Sequence, residues 1–122
     1  MNVESKHRVL FCIGVSQNFM DSTQEVMGDV WVAFQAMIKG ISDLPGVDVL
    51  GVLDDDRIQV GPSENAPWTA YIMADVPDYE SVVAGCHLFR STPVGDGTYK
   101  LWKFMKVEAR IGRGLELSLI HI

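Results

Sequence analysis

Cysteine is scarce: the 122 residues hold two, Cys12 inside an apolar run and Cys86 on a helical stretch. Small secreted domains with weak cores carry dense cysteine frameworks, so this count excludes a disulfide scaffold and implies a reduced, cytoplasmic protein. Long apolar runs are also missing. None approaches the ~20 residues of a membrane span, and residues 1–8 are polar, unlike a signal peptide or an anchor, so the reading is a soluble protein with no membrane partner. Basic residues are few, ten Lys and Arg against sixteen Asp and Glu, for a formal charge of −6. Phosphate attraction needs a basic excess on some face, which excludes a general nucleic-acid binder. Five of the ten (Lys100, Lys103, Lys106, Arg110, Arg113) fall near the last strand, where alternation sends them to opposite faces. Neither a glycine-rich phosphate loop nor a histidine pair at metal-ligand spacing occurs, so the expected cofactor and metal content is none.

What is present is a regular succession of elements in a single domain, residues 1–122, with tails at 1–7 and 115–122. Arg8-Val9-Leu10-Phe11-Cys12-Ile13-Gly14-Val15 is a continuous apolar run, read as a central strand buried on both faces. Ser22 followed three residues later by Glu25 predicts a capping box. Val26, Met27, Val30, Phe34, Met37, Ile38 and Ile41 then recur at helical spacing. Trp31 lies at the edge of that stripe and is read as core, with pocket lining as the alternative. Leu44-Pro45-Gly46 turns the chain into a strand at 47–53. Asp54-Asp55-Asp56 follows; consecutive side chains on extended chain diverge, so a solvated turn is favoured over a metal site. Residues 58–66, with Gly61-Pro62, form a loop of the kind that covers binding sites.

A third strand spans 68–76, and Asp78 caps a helix whose stripe is Tyr79, Val82, Val83, Cys86 and Phe89 or Arg90. Thr92-Pro93-Val94-Gly95 stops it, so Cys86, His87 and Arg90 gather where helix gives way to loop. The last strand is expected at 99–111, with apolar residues on both faces of its first half. Residues 115–122 alternate weakly, as a partner-pairing strand or a tail would. The order strand, helix, strand, strand, helix, strand is that of an α+β, ferredoxin-like βαββαβ sandwich. Its uncovered sheet face would expose Trp, Phe, Met and Val, so a homodimer of the dimeric α+β barrel kind is expected.

Several strings carry a resemblance: Leu53-Asp54-Asp55-Asp56-Arg57, Val60-Gly61-Pro62-Ser63, Pro67-Trp68-Thr69, Ala74-Asp75-Val76-Pro77-Asp78, Leu88-Phe89-Arg90, Leu101-Trp102-Lys103 and Lys106-Val107-Glu108-Ala109-Arg110. Together with the first strand they resemble the small proteins of bacterial indole and indole-3-acetic acid degradation clusters, over residues 8–113. In the indole branch that resemblance implies a cofactor-independent dioxygenase opening 3-hydroxyindolin-2-one (dioxindole) to anthranilate. Auxin-branch relatives carry another polar residue where His87 stands, which favours the indole branch. The implied partners are a small indolic substrate and dioxygen.

Dioxygen is a triplet, and most oxygenases pass it electrons singly through a metal or flavin. Dioxindole, once deprotonated at C3, is an electron-rich enolate able to act as its own donor. The protein then needs a base, a cation for the enolate oxygen and a dry aromatic slot. His87 is the expected base, since the ordinary histidine pKa of about 6.5 suits proton transfer near neutrality. Arg90, three residues on, is the expected cation, with Asp75 and Asp55 as reserve bases and Trp31, Trp68, Tyr71 and Trp102 as the slot. Each has a structural rival: His87 against the helix dipole, Arg90 paired with Glu108 or Asp78, Cys86 and the tryptophans as core. Competing functions are an isomerase or monooxygenase of the same barrel type, a non-catalytic carrier of an indolic intermediate, and a haem protein.

Overall fold

The computed structural model describes residues 7–56, 58–61 and 68–113. Residues 1–6, the loop residues 62–67 and the expected partner-pairing segment or tail at 115–122 lie outside them. Among the described residues the chain is a small α+β protein with an antiparallel sheet and three α-helices. Its elements are β1 (His7–Val15), α1 (Gln17–Met20), α2 (Gln24–Ser42), β2 (Asp48–Asp54), β3 (Ala70–Val76), α3 (Tyr79–Ser91), β4 (Pro93–Val94), β5 (Tyr99–Lys100) and β6 (Met105–Gly112).

The main sheet runs in the order β2-β3-β1-β6. The apolar run of β1 is central as its composition requires, pairing antiparallel with β3 (Phe11 opposite Ile72) and with β6 (Phe11 opposite Ala109). Its odd-numbered residues Val9, Phe11 and Ile13 are buried against the helices, joined by Ile72, Ala74 and Val76 of β3. From α2 come Val30, Phe34, Met37 and Ile41, and from α3 Val82 and Phe89, all in the same core. Fully burying a side chain of this size stabilises by about 1.5–3 kcal/mol, so these stripes dominate the fold. Helix and sheet approach closely at Gly85, where an added Cβ would lie 3.0 Å from Phe11 Cζ.

Caps follow local chemistry, with one correction. Asp78 caps α3 as expected, its Oδ1 accepting from Ser81 N at 2.9 Å and Ser81 Oγ at 2.7 Å. At α2 the cap is Thr23, whose hydroxyl accepts from Val26 N at 3.2 Å, and Ser22 is displaced from that role. The Ser22 hydroxyl donates instead to the Asn18 carbonyl at 2.6 Å, closing the short α1 that periodicity did not predict.

The largest departure is at 99–111. The expected continuous strand is two pieces, separated by a 3₁₀ turn at Leu101–Lys103. The turn places Leu101 and Phe104, three residues apart, both inward, and Phe104 N donates to Leu101 O at 2.9 Å. That spacing accounts for apolar residues of both parities without a second covering layer. Upstream, β4 and β5 form a hairpin whose turn uses Gly95 (φ 60°) and Gly97 (φ 88°), left-handed positions suited to glycine.

The sheet face away from the helices differs from the expected Trp, Phe, Met and Val. By alternation it carries Leu10, Cys12, Leu53, Tyr71 and Met73, with Arg8, Asp75, Glu108 and Arg110 among them. Arg8 grips Asp75 bidentately, Nε to Oδ1 at 2.8 Å and Nη2 to Oδ2 at 3.0 Å, and Arg110 Nε lies 2.9 Å from Glu108. No helix among the described residues is long and apolar enough to cross a membrane.

Candidate functional site

Helix α3 places His87 and Arg90 three residues apart, on neighbouring surfaces of its last two turns. The 3₁₀ turn swings Trp102 outward, 62% exposed, while Leu101 and Phe104 go inward. These two movements bring His87, Arg90 and Trp102 to the wall of one cleft of about 490 Å³ between α3 and β6. Its floor is apolar, from Val82, Phe89, Met105 and Val107; Lys106 borders it on β6, but its ammonium is turned to the Trp68 ring on the other side of the strand. The volume lies in the ~300–1,000 Å³ range of small-molecule sites.

The cleft therefore holds an imidazole, a guanidinium and an indole over an apolar base. Such a set can accept a proton, hold an oxyanion and stack on a flat ring. Arg90 makes no ion pair among the described residues: its expected partners are engaged elsewhere, Glu108 with Arg110 and Asp78 at the helix cap. Cys86 also reaches the cleft, but burial pushes its thiol pKa up, which keeps it protonated and poorly nucleophilic. Lys106 was read from sequence only as one of five dispersed charges. Its place beside Met105, at the start of β6, depends on the break at 101–103.

The other expected site residues do not converge here. Asp75 and Asp55 lie toward the far face of the sheet, Asp75 held by Arg8 and Asp55 accepting from Tyr71 Oη at 2.5 Å. Neither carboxylate lines the cleft, so neither is placed as a reserve base for His87. The four-membered aromatic slot is likewise dispersed. Tyr71 sits with Asp55, and Trp68 lies under Lys106, whose Nζ is 5.5 Å from its ring centre. Trp31 is 57% exposed, against the core reading.

Trp31 belongs to a separate cavity of about 400 Å³, formed by α1, α2 and the ends of the sheet strands. Met105 lines both cavities. The run Asp54-Asp55-Asp56 diverges as extended chain requires: Asp54 lines this second cavity, Asp55 meets Tyr71, and Asp56 is exposed. No three His, Cys, Asp or Glu side chains converge at metal-ligand spacing among the described residues. The basic residues near the chain end are also scattered, Lys103 lying over the Tyr99 ring at 3.5 Å and Arg110 paired with Glu108.

Compared with known proteins, the chain matches no protein-family model and no curated protein.

Proposed function

We propose that the chain is a cofactor-independent dioxygenase that opens dioxindole to anthranilate, with the α3–β6 cleft as its active site. The observation that carries this reading is the meeting of His87, Arg90 and Trp102 in that cleft, two of them from one helix and the third from a turn eleven or more residues away in the chain. In this mechanism the substrate ring stacks on Trp102 over the apolar floor. The His87 imidazole takes the C3 proton, and Arg90 holds the enolate oxygen as its charge develops. The enolate gives one electron to dioxygen, and the resulting radical and superoxide recombine to form a C3–O bond. Attack of the peroxide on the neighbouring C2 carbonyl, with loss of that carbon, balances one dioxindole and one dioxygen to one anthranilic acid and one carbon dioxide. No external reductant enters.

We further propose that the strand order β2-β3-β1-β6, with α2 and α3 on one face, is that of a ferredoxin-like sandwich whose open face meets a second copy. The mixed character of that face, with Leu10, Tyr71 and Met73 beside two ion pairs, supports burial against a like surface. Light scattering at micromolar concentration would give twice the monomer mass; a monomer removes the dimer.

The test of the activity is oxygen uptake by metal-free protein with dioxindole and no reductant. The wild type consumes one dioxygen per anthranilate formed, and His87→Ala loses at least about 100-fold in turnover, the usual worth of a general base. Uptake absent from the wild type, or unchanged in His87→Ala, refutes the assignment. Dioxindole binding without uptake would mark a carrier instead.

A further inference from the structure

We propose that the second cavity, between α1, α2 and the strand ends, is a separate small-molecule site and that it takes a flat aromatic amine. Several observations converge on it. Its volume of about 400 Å³ is of ligand size, and Phe19, Trp31 and Phe34 supply aromatic walls. The Trp31 and Phe34 rings lie 5.8 Å apart at 32°, an inclined aromatic pair of which Trp31 is the exposed member. Trp31 and Val52 remain 57% and 46% exposed although they border an otherwise buried core. Burying such side chains is worth about 1.5–3 kcal/mol each, so leaving two of them wet around one hollow marks a surface kept for an occupant.

The charge at the site fixes the class of that occupant. Asp54 is the only ionised side chain among the lining residues, with Thr69 the other polar group, and no Lys, Arg or His is present. Asp54 follows Val52 by two residues on β2 and so shares its sheet face, and it forms no ion pair among the described residues. A carboxylate at the rim of an apolar, aromatic-walled hollow favours a ring carrying an ammonium and disfavours a ring carrying a carboxylate. The α3–β6 cleft has the opposite polarity, with Arg90, so the two sites sort ligands by charge.

The experiment uses the full chain labelled with ¹⁵N and follows the three tryptophan indole N–H resonances, the Trp31 signal being assigned by its loss in Trp31→Phe. The matched probes are 1-naphthylmethylamine and 1-naphthoate, which share a ring system and differ in charge. Saturable shifts of the Trp31 signal are expected with the amine, with the acid at least about tenfold weaker, the equivalent of one exposed-to-partly-buried charge contact. Asp54→Asn, an exposed substitution that leaves the dispersion of the spectrum intact, abolishes the preference. Overturning results are a Trp31 signal that does not move, shifts confined to Trp102, equal binding of the two probes, or a preference that survives Asp54→Asn. Whether dioxindole is turned over does not affect this readout.

Discussion

Three helical glycines, Gly28, Gly40 and Gly85, offer one chemical change in three surroundings. Replacing a helix-interior glycine with alanine stabilises by about 0.8–1.0 kcal/mol when nothing opposes the new methyl. At Gly28 nothing lies within 4 Å of the added Cβ, so the full gain is expected. At Gly40 the methyl would lie 3.2 Å from Leu88 Cδ1, the free end of a half-buried side chain that can turn aside. A rotamer adjustment costs about 0.5–1.5 kcal/mol, leaving a net change of about zero. At Gly85 the methyl would lie 3.0 and 3.2 Å from Phe11 Cζ and Cε1 and 3.8 Å from Ile41 Cγ1. Phe11 is fully buried and its backbone is hydrogen-bonded on both sides within the sheet, so α3 must lift or the ring must strain. Overpacking of this kind costs roughly 1–3 kcal/mol, against which the propensity gain of about 1 leaves a loss of about 0–2. Urea unfolding of the three variants should separate Gly28→Ala from Gly85→Ala by about 2 kcal/mol, close to 1 M in midpoint for an m value of about 2 kcal/mol/M. Shortening the ring with Phe11→Leu in the Gly85→Ala background should cost less than Phe11→Leu alone. If Gly85→Ala proves as stable as Gly28→Ala, the helix–sheet spacing is not set by that contact.

Leu101→Ala should cost about 2–5 kcal/mol in the same assay, because Leu101 is fully buried beneath the 3₁₀ turn; a loss under 1 would mean the turn is not anchored there. The Asp78 carboxyl is held below its ordinary pKa first by the Ser81 hydroxyl, then by the Ser81 amide, with His7 adding attraction. A depressed folded pKa gives stability that is fully present above the unfolded value of about 3.9 and lost as pH falls through the folded one. Acid unfolding of Asp78→Asn should therefore be less steep below pH 4 than that of the wild type, and identical profiles would refute the linkage. Cys12 and Cys86 are both free thiols whose pKa burial raises, Cys12 further through Glu108 and Asp55 with Arg110 opposing. Both should react with iodoacetamide at pH 7.5 far more slowly in the native protein than in urea, and rapid native labelling of either would contradict its environment.

The parts of the fold that were legible in the sequence are those set by neighbours in the chain. The β1 run, the α2 and α3 stripes, the Asp78 cap and the stop at Thr92-Pro93 depend on spacing within a few residues. The break at 101–103 was not legible, because Leu101 and Phe104 satisfy an i,i+3 pattern as well as alternation, and only the surrounding core selects between them. Ser22 and Thr23 are adjacent residues that can both cap, serine the better by preference; the carbonyl of Asn18, supplied by a helix of four residues, engages Ser22 and leaves the cap to Thr23. In the cleft, His87 and Arg90 follow from helical spacing, whereas Trp102 arrives by tertiary packing. Tyr71 and Asp75 share a parity opposite to the buried Ile72, Ala74 and Val76, so alternation alone already sends them to the far side of the sheet from α3.

Met105 stands as a partition, one thioether bounding a cationic cleft on one side and an acidic hollow on the other. An unbranched side chain with three rotatable bonds yields easily to pressure from either room. A guest that pushes it aside reshapes the neighbouring wall, and linkage requires the effect of each guest on the other to be equal and mutual. Were this sulfur oxidised, the sulfoxide would set a polar group into a wall that both rooms share.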